Sequence, residues 1–223
     1  MPFSINFYQD QVLAGGVTST PLGPLPRLLY VRDGEVALNG RDLRAGESAA
    51  ASEGCEVAGS AEWSEIWRWE VDLPNSPPAS IEGSGVLTIH RMSRLITTLD
   101  MARGSEWLFR LDQITSRAGH VSDPHTHPGP GIRCLLRGTF NIEQHGERYR
   151  GGVPGEPWWE SGDDEVVFWG SETMEASFLR GMVLPTSHAG SATGTRRTDD
   201  PNRRRANWTL HTDELFTVPS EDR

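Results

Sequence analysis

An all-β chain made of two tandem barrel modules is what this sequence predicts, on three observations. The 24 glycines and 15 prolines punctuate it so densely that no long amphipathic helix fits between them. Short β-type runs recur between the Gly and Pro turns, the pattern of a sandwich or barrel. The chain also resembles itself. LLYVRDGEVALNG (28–40) lies over IRCLLRGTFNIEQ (132–144), with Gly34 on Gly138. GESAAAS (46–52) lies over GEPWWES (155–161), and WRWEVDLP (67–74) over FLRGMVLP (178–185). The offsets of 104, 109 and 111 residues drift as loop insertions would make them drift, and the blocks keep their order.

The elements follow in chain order. Strands are expected at 27–31, 35–38 and 65–73 in the first module, and at 107–115, 132–136, 139–144, 165–169 and 176–184 in the second. Residues 92–100 read as a modest helix between the modules. The expected division is 1–103 for the first barrel with its connector, 104–186 for the second, and 187–223 for a polar tail. That tail is rich in Gly, Ser, Thr, Asp and Arg, so it should be mobile or run over the surface, with one short strand at 207–210.

Composition excludes whole classes of chemistry. The 21 basic side chains are all arginine, so neither a Schiff-base lysine nor a phosphate-loop lysine is available. A net charge of −10 argues against a nucleic-acid partner, and the basic run at 203–205 reads as a solvated tail. Two cysteines, Cys55 and Cys134, make neither a disulfide framework nor a zinc ribbon. No apolar run reaches the ~20 residues of a membrane span, and the N-terminus lacks a signal-peptide pattern, so a soluble cytoplasmic protein is expected.

The second module carries Gly119-x5-His125-x-His127-x3-Gly131-x6-Gly138. This resembles the first motif of the cupin superfamily, in which an HxH pair binds a metal inside a small barrel. The resemblance implies two tandem cupin-type barrels (double-stranded β-helix, or jelly roll), only the second with ligands. On a strand, His125 and His127 would project from one face into the barrel. The resemblance also implies one divalent ion of Fe, Mn, Ni, Cu or Zn, and permits a homodimer. The family's glutamate ligand falls on Gly131, and its last histidine on Trp158 of Val153-Pro-Gly-Glu-Pro157-Trp158.

Glu160, two residues beyond Trp158, shares its face and could complete a His125, His127, Glu160 set. Arg133, on the face of Gly131, would either pair with Glu160 or wait for a substrate carboxylate. Trp158 would either line the substrate cavity or fill the barrel. The expected catalytic residues are thus Arg133 and Glu160, the substrate contacts Arg133 and Trp158, and the metal ligands His125, His127 and Glu160. The first-module equivalents Pro21, Gly23, Ala49 and Ala51 can neither hold a metal nor move a proton. Two functions remain open: a metal-dependent dioxygenase, isomerase or lyase acting on a small anionic organic molecule, or a non-catalytic binder of a small acid or sugar.

Overall fold

The computed structural model describes residues 3–74, 76–193 and 206–218. It is all-β. The chain divides into two compact units, 1–96 and 97–223. The first holds β1 (Phe3–Thr18), β2 (Arg27–Asp33), β3 (Glu35–Leu38), β4 (Arg41–Arg44), β5 (Ser48–Ala50), β6 (Val57–Gly59), β7 (Trp63–Asp72) and β8 (Gly83–Ile96). The second holds β9 (Glu106–Ser116), β10 (Gly131–Arg137), β11 (Phe140–Gln144), β12 (Glu147–Gly152), β13 (Pro157–Glu160), β14 (Val166–Gly170), β15 (Ala176–Leu184) and β16 (Asn207–Thr217).

Both units are wound the same way. The first runs β5-β2-β7-β1-β8 in one layer and β4-β3-β6 in the other; the second runs β13-β10-β15-β9-β16 and β12-β11-β14. Even the joins between layers repeat, Val17 pairing with Ala58 in the first unit and Val121 with Trp169 in the second. In each unit the layers close over an apolar core. In the second, Leu135, Trp158, Ala176 and Phe178 from the larger layer meet Phe140, Ile142, Val166 and Phe168 from the smaller. In the first, Val12, Leu29, Val31 and Ile66 meet Val36, Leu38, Leu43 and Val57. Each Val, Leu, Ile or Phe among them contributes about 1.5–3 kcal/mol on burial.

Two expectations are corrected. Residues 92–100 are not a helix: they run up to Ile96 as the end of β8, which pairs along β1 from Phe3↔Ile96 to Thr18↔Gly83. The C-terminal region is not wholly a tail either. β16 extends to Thr217 and pairs with β9 over its length, because Trp208, Leu210 and Phe216 give it apolar positions to set against that strand. The expected mobility at 187–206 falls largely on residues outside those described; 186–188 form a single 3-10 turn. Among the described residues, no helix is long and apolar enough to cross a membrane.

The first unit holds a buried ion cluster. Glu70 Oε1 accepts from Arg27 Nε and from Arg68 Nη1, and Arg68 also grips Asp10 through two bonds of 2.7 and 3.1 Å. Thr88 Oγ1 donates to Asp10 at 2.6 Å, and the Arg68 guanidinium lies 4.1 Å from the centroid of Tyr8. Two cations and two anions therefore cancel out of water. Burial, ahead of the nearby Glu70 charge, pushes Tyr8 up to about 12.

Candidate functional site

Strand register decides what faces what inside the second unit. Arg133 of β10 stands opposite Trp158 of β13 on one side and Arg180 of β15 on the other, and Arg180 stands opposite Asp112 of β9. The next row aligns Glu160, Gly131, Met182 and Arg110. Below lie Leu135, Phe178 and Ile114, the start of the apolar core. One end of the interior is thus ionic and the other apolar, because the inward-facing positions of four neighbouring strands change character at one level.

Arg133 is fully buried, and its Nη2 lies 2.8 Å from Glu160 Oε2. Its Nη1 donates to the carbonyls of Gly131 at 2.5 Å and Glu160 at 3.2 Å. Glu160 Oε1 accepts from Trp158 Nε1 at 2.8 Å, while Oε2 also lies 3.1 Å from His127 Nε2. Beside this, Arg180 holds Asp112 through two 2.7 Å bonds, and Trp208 donates to Asp112 at 2.8 Å. Burial alone would raise the Glu160 carboxyl, but the Arg133 guanidinium and the His127 contact hold it well below the usual carboxylate range. Burial lowers Arg133 to about 10 and His127 to about 4. It lowers His125 too.

The two histidines are not on a strand. Residues 117–130 form an irregular crossing, fixed where His125 bridges Val166 and where the His127 amide donates to Gly162 at 2.7 Å. Their rings still meet, edge to face, with centroids 4.8 Å apart. His125 Nδ1 lies 2.8 Å from the Asp123 carbonyl, and His127 Nδ1 lies 3.2 Å from the Thr193 carbonyl. A carbonyl can only accept, so His125 Nδ1 carries the proton and its Nε2 keeps a lone pair, whereas His127 faces an acceptor at each nitrogen, the Thr193 carbonyl at Nδ1 and the Glu160 carboxylate at Nε2. Thr193 is brought there by Arg110, which bonds the carbonyls of His188 and Ser191 and pairs with Asp213 of β16.

The donors are therefore of the kind a metal takes, and Glu160 Oε2 is a buried oxygen with no aligned hydrogen bond. Their arrangement does not fit. Among the described residues, no three His, Cys, Asp or Glu side chains gather into a group that could hold a metal ion. Positive charge is already supplied at Oε2 by Arg133, 2.8 Å away. Adding a divalent ion would leave the buried cluster with uncompensated positive charge, a costly state.

Of the sequence-predicted residues, Arg133, Glu160 and His127 come together, and His125 stands beside them half-buried. Trp158 packs 4.2 Å from Phe140 and 5.2 Å from Phe178, so it fills the barrel and steadies Glu160. Sequence reasoning missed Asp112, Arg180 and Thr193. The first two carry a signal, since they alternate in phase with Ile114 and Phe178. In the first unit the His125 position is taken by Leu22, which bridges Cys55 as His125 bridges Val166; this is one residue from the expected Pro21.

The sequence matches no protein-family model and no curated protein. Solved structures do match. Procruciferin, an 11S globulin from Brassica napus, aligns with 81% of this chain and 77% of its own at a TM-score of 0.56 and 9% identity. AerE from Microcystis aeruginosa aligns with 79% and 87% at 0.55 and 15% identity. A variant of salicylate 1,2-dioxygenase from Pseudoaminobacter salicylatoxidans, in complex with gentisate, aligns with 79% and 68% at 0.51 and 11% identity. With its doubled strand order and these neighbours, the chain has the fold of the cupin-type proteins.

Proposed function

We propose that the unit formed by residues 97–223 binds a small, hydroxyl-bearing organic molecule at the ionic end of its interior. One observation carries this reading. Arg133 Nε and Glu160 Oε2 belong to the same buried ion pair, yet neither has an aligned hydrogen-bond partner. Leaving a buried donor such as Arg133 Nε unmet costs about 1–3 kcal/mol, and Oε2, though compensated in charge by Arg133, still has a lone pair to offer. A hydroxyl answers both, accepting from Nε and donating to Oε2. The charges of Arg133, Arg180, Asp112 and Glu160 cancel, so a neutral sugar-like ligand suits the site better than an acid, which would compete with Glu160 for the guanidinium. A neighbour of the same fold in complex with gentisate supports small-molecule binding in general terms.

The metal-dependent reading, a dioxygenase, isomerase or lyase with His125, His127 and Glu160 as ligands and Arg133 holding the substrate, has one observation in its favour. His125 Nδ1 is pinned by the Asp123 carbonyl, as in histidines that ligate through Nε2. Elemental analysis of the purified full chain, with thermal shifts against sugars and small carboxylates, separates the two. Stabilisation by a hydroxylated ligand, lost in His127→Ala, is expected. About one divalent ion per chain, lost when His125 and His127 are both replaced by alanine, would overturn the binding reading in favour of the enzyme.

A further inference from the structure

The outer face of the β12-β11-β14 layer holds a groove of about 490 Å³ lined by Asn141, Glu143, Arg148, Arg150, Val167 and Trp169. We propose that this groove is a second binding site, for a small planar organic anion whose ring lies on Trp169 and whose acidic group meets Arg150.

The reasoning starts from strand alternation. Phe140, Ile142, Val166 and Phe168 point inward to the core, so Asn141, Glu143, Val167 and Trp169 point out. Arg150 stands opposite Asn141, and Arg148 opposite Glu143. Arg148 is already engaged: it bonds Glu143 Oε2 at 2.6 Å and lies 5.8 Å from the Trp169 centroid. Asn141 is engaged with backbone, accepting from the Gly151 amide and donating to the Trp169 carbonyl. Arg150 has no partner among the described residues. The groove thus offers a fixed, half-buried indole, one neutralised arginine that walls it, and one uncommitted guanidinium, on a chain whose net charge is −10. A guanidinium beside an aromatic face suits a flat acid by charge, bidentate geometry and stacking together.

The repeat supplies an internal comparison. In the first unit, Ala37 stands between Asp42 and Ala58, as Asn141 stands between Arg150 and Trp169. The backbone pairing is shared, but an acid and a methyl replace the arginine and the indole. The groove's chemistry is therefore not needed to build the layer.

The shared chemistry, a flat ring bearing a carboxylate or a phosphate, has two sources, which two probes distinguish. The ¹⁵N-labelled full chain is titrated with 2-naphthoate and with adenosine monophosphate, and the Trp169 indole signal, assigned by its loss in Trp169→Leu, is followed. Saturable movement with naphthoate alone marks a carboxylate site, and with the nucleotide alone a phosphate site. Affinity, read on the Trp169 indole in Arg150→Gln and on the backbone amides of β11 and β14 in Trp169→Leu, should fall roughly five- to tenfold. Arg150→Gln keeps the parent melting temperature, since that side chain is exposed. No saturation by either probe up to about 10 mM, or equal affinity for acetate or sulfate, would overturn the proposal.

Discussion

Arg133 Nη2 and Glu160 Oε2 lie 2.8 Å apart on the adjacent strands β10 and β13, with side-chain exposures of 0% and 5%. At that depth the pair exists because each partner makes the other tolerable. Removing one member of such a pair costs about 3–5 kcal/mol, because the remaining charge stays buried. Glu160→Gln should lower stability by that amount. Thermal melts with and without added divalent metal check the cause: equal loss in both supports the ion pair, and loss confined to the metal-loaded protein supports ligation.

Acid should destabilise the second unit before it protonates surface carboxylates. His127 sits at about 4 in the folded chain, against about 6.5 for a solvated histidine. Between those values the unfolded chain takes up a proton that the folded chain refuses, so stability present above pH 6.5 is lost as pH falls. At pH 5 the loss from this residue is about 2 kcal/mol. Glu160, also held below its unfolded value, adds a loss in the same direction below about pH 4.5. Urea unfolding of the parent and of His127→Gln at pH 7.5 and 5 tests this: the variant should lose most of the difference.

Placing at position 131 the glutamate that the resembling motif carries there should fail. A Cβ there would lie 2.3 Å from the Gly181 carbonyl oxygen and 2.9 Å from Met182 Cα, both backbone atoms of β15. Gly131→Ala and Gly131→Glu should both disrupt the β10–β15 pairing, visible as lost near-ultraviolet circular dichroism. A folded Gly131→Glu chain with tighter metal retention would contradict the close approach.

In the first unit, Glu70 holds two guanidiniums with one oxygen. Glu70→Gln should therefore cost about 3–5 kcal/mol. Replacing exposed Glu56 by Gln should stay within about 0.5 kcal/mol, with chemical denaturation as the measure.

The doubled order of strands was legible because Gly34 and Gly138 begin the same turn, and the blocks after them keep step. At Gly138 an added Cβ would meet the Glu175 carbonyl at 2.3 Å, which is why that glycine marks the repeat. Arg133 and Glu160 were legible from two-residue steps, down to their possible pairing. The first unit's ion cluster was not. In β7, Trp67 and Trp69 alternate with Ile66, Arg68 and Glu70, and the habit of placing aromatics inside and charges outside misassigns a strand buried on both faces. β1 hid likewise, since Asn6, Gln9 and Asp10 break its apolar run yet are buried. His125 and His127 fell on an irregular crossing, because two prolines flank them and deny a regular ladder.

β16 bears on the order in which the protein is made. The 1–96 unit has its last strand as soon as Ile96 has left the ribosome. The other unit does not: β9, complete at Ser116, must wait for β15 and then for Thr217 before both its edges are paired. Loop closure over such separations is slow, and an unpaired strand edge is where chains stick to one another. During translation β9 is thus the segment that stays open longest, and a ribosome paused before codon 207 would expose it.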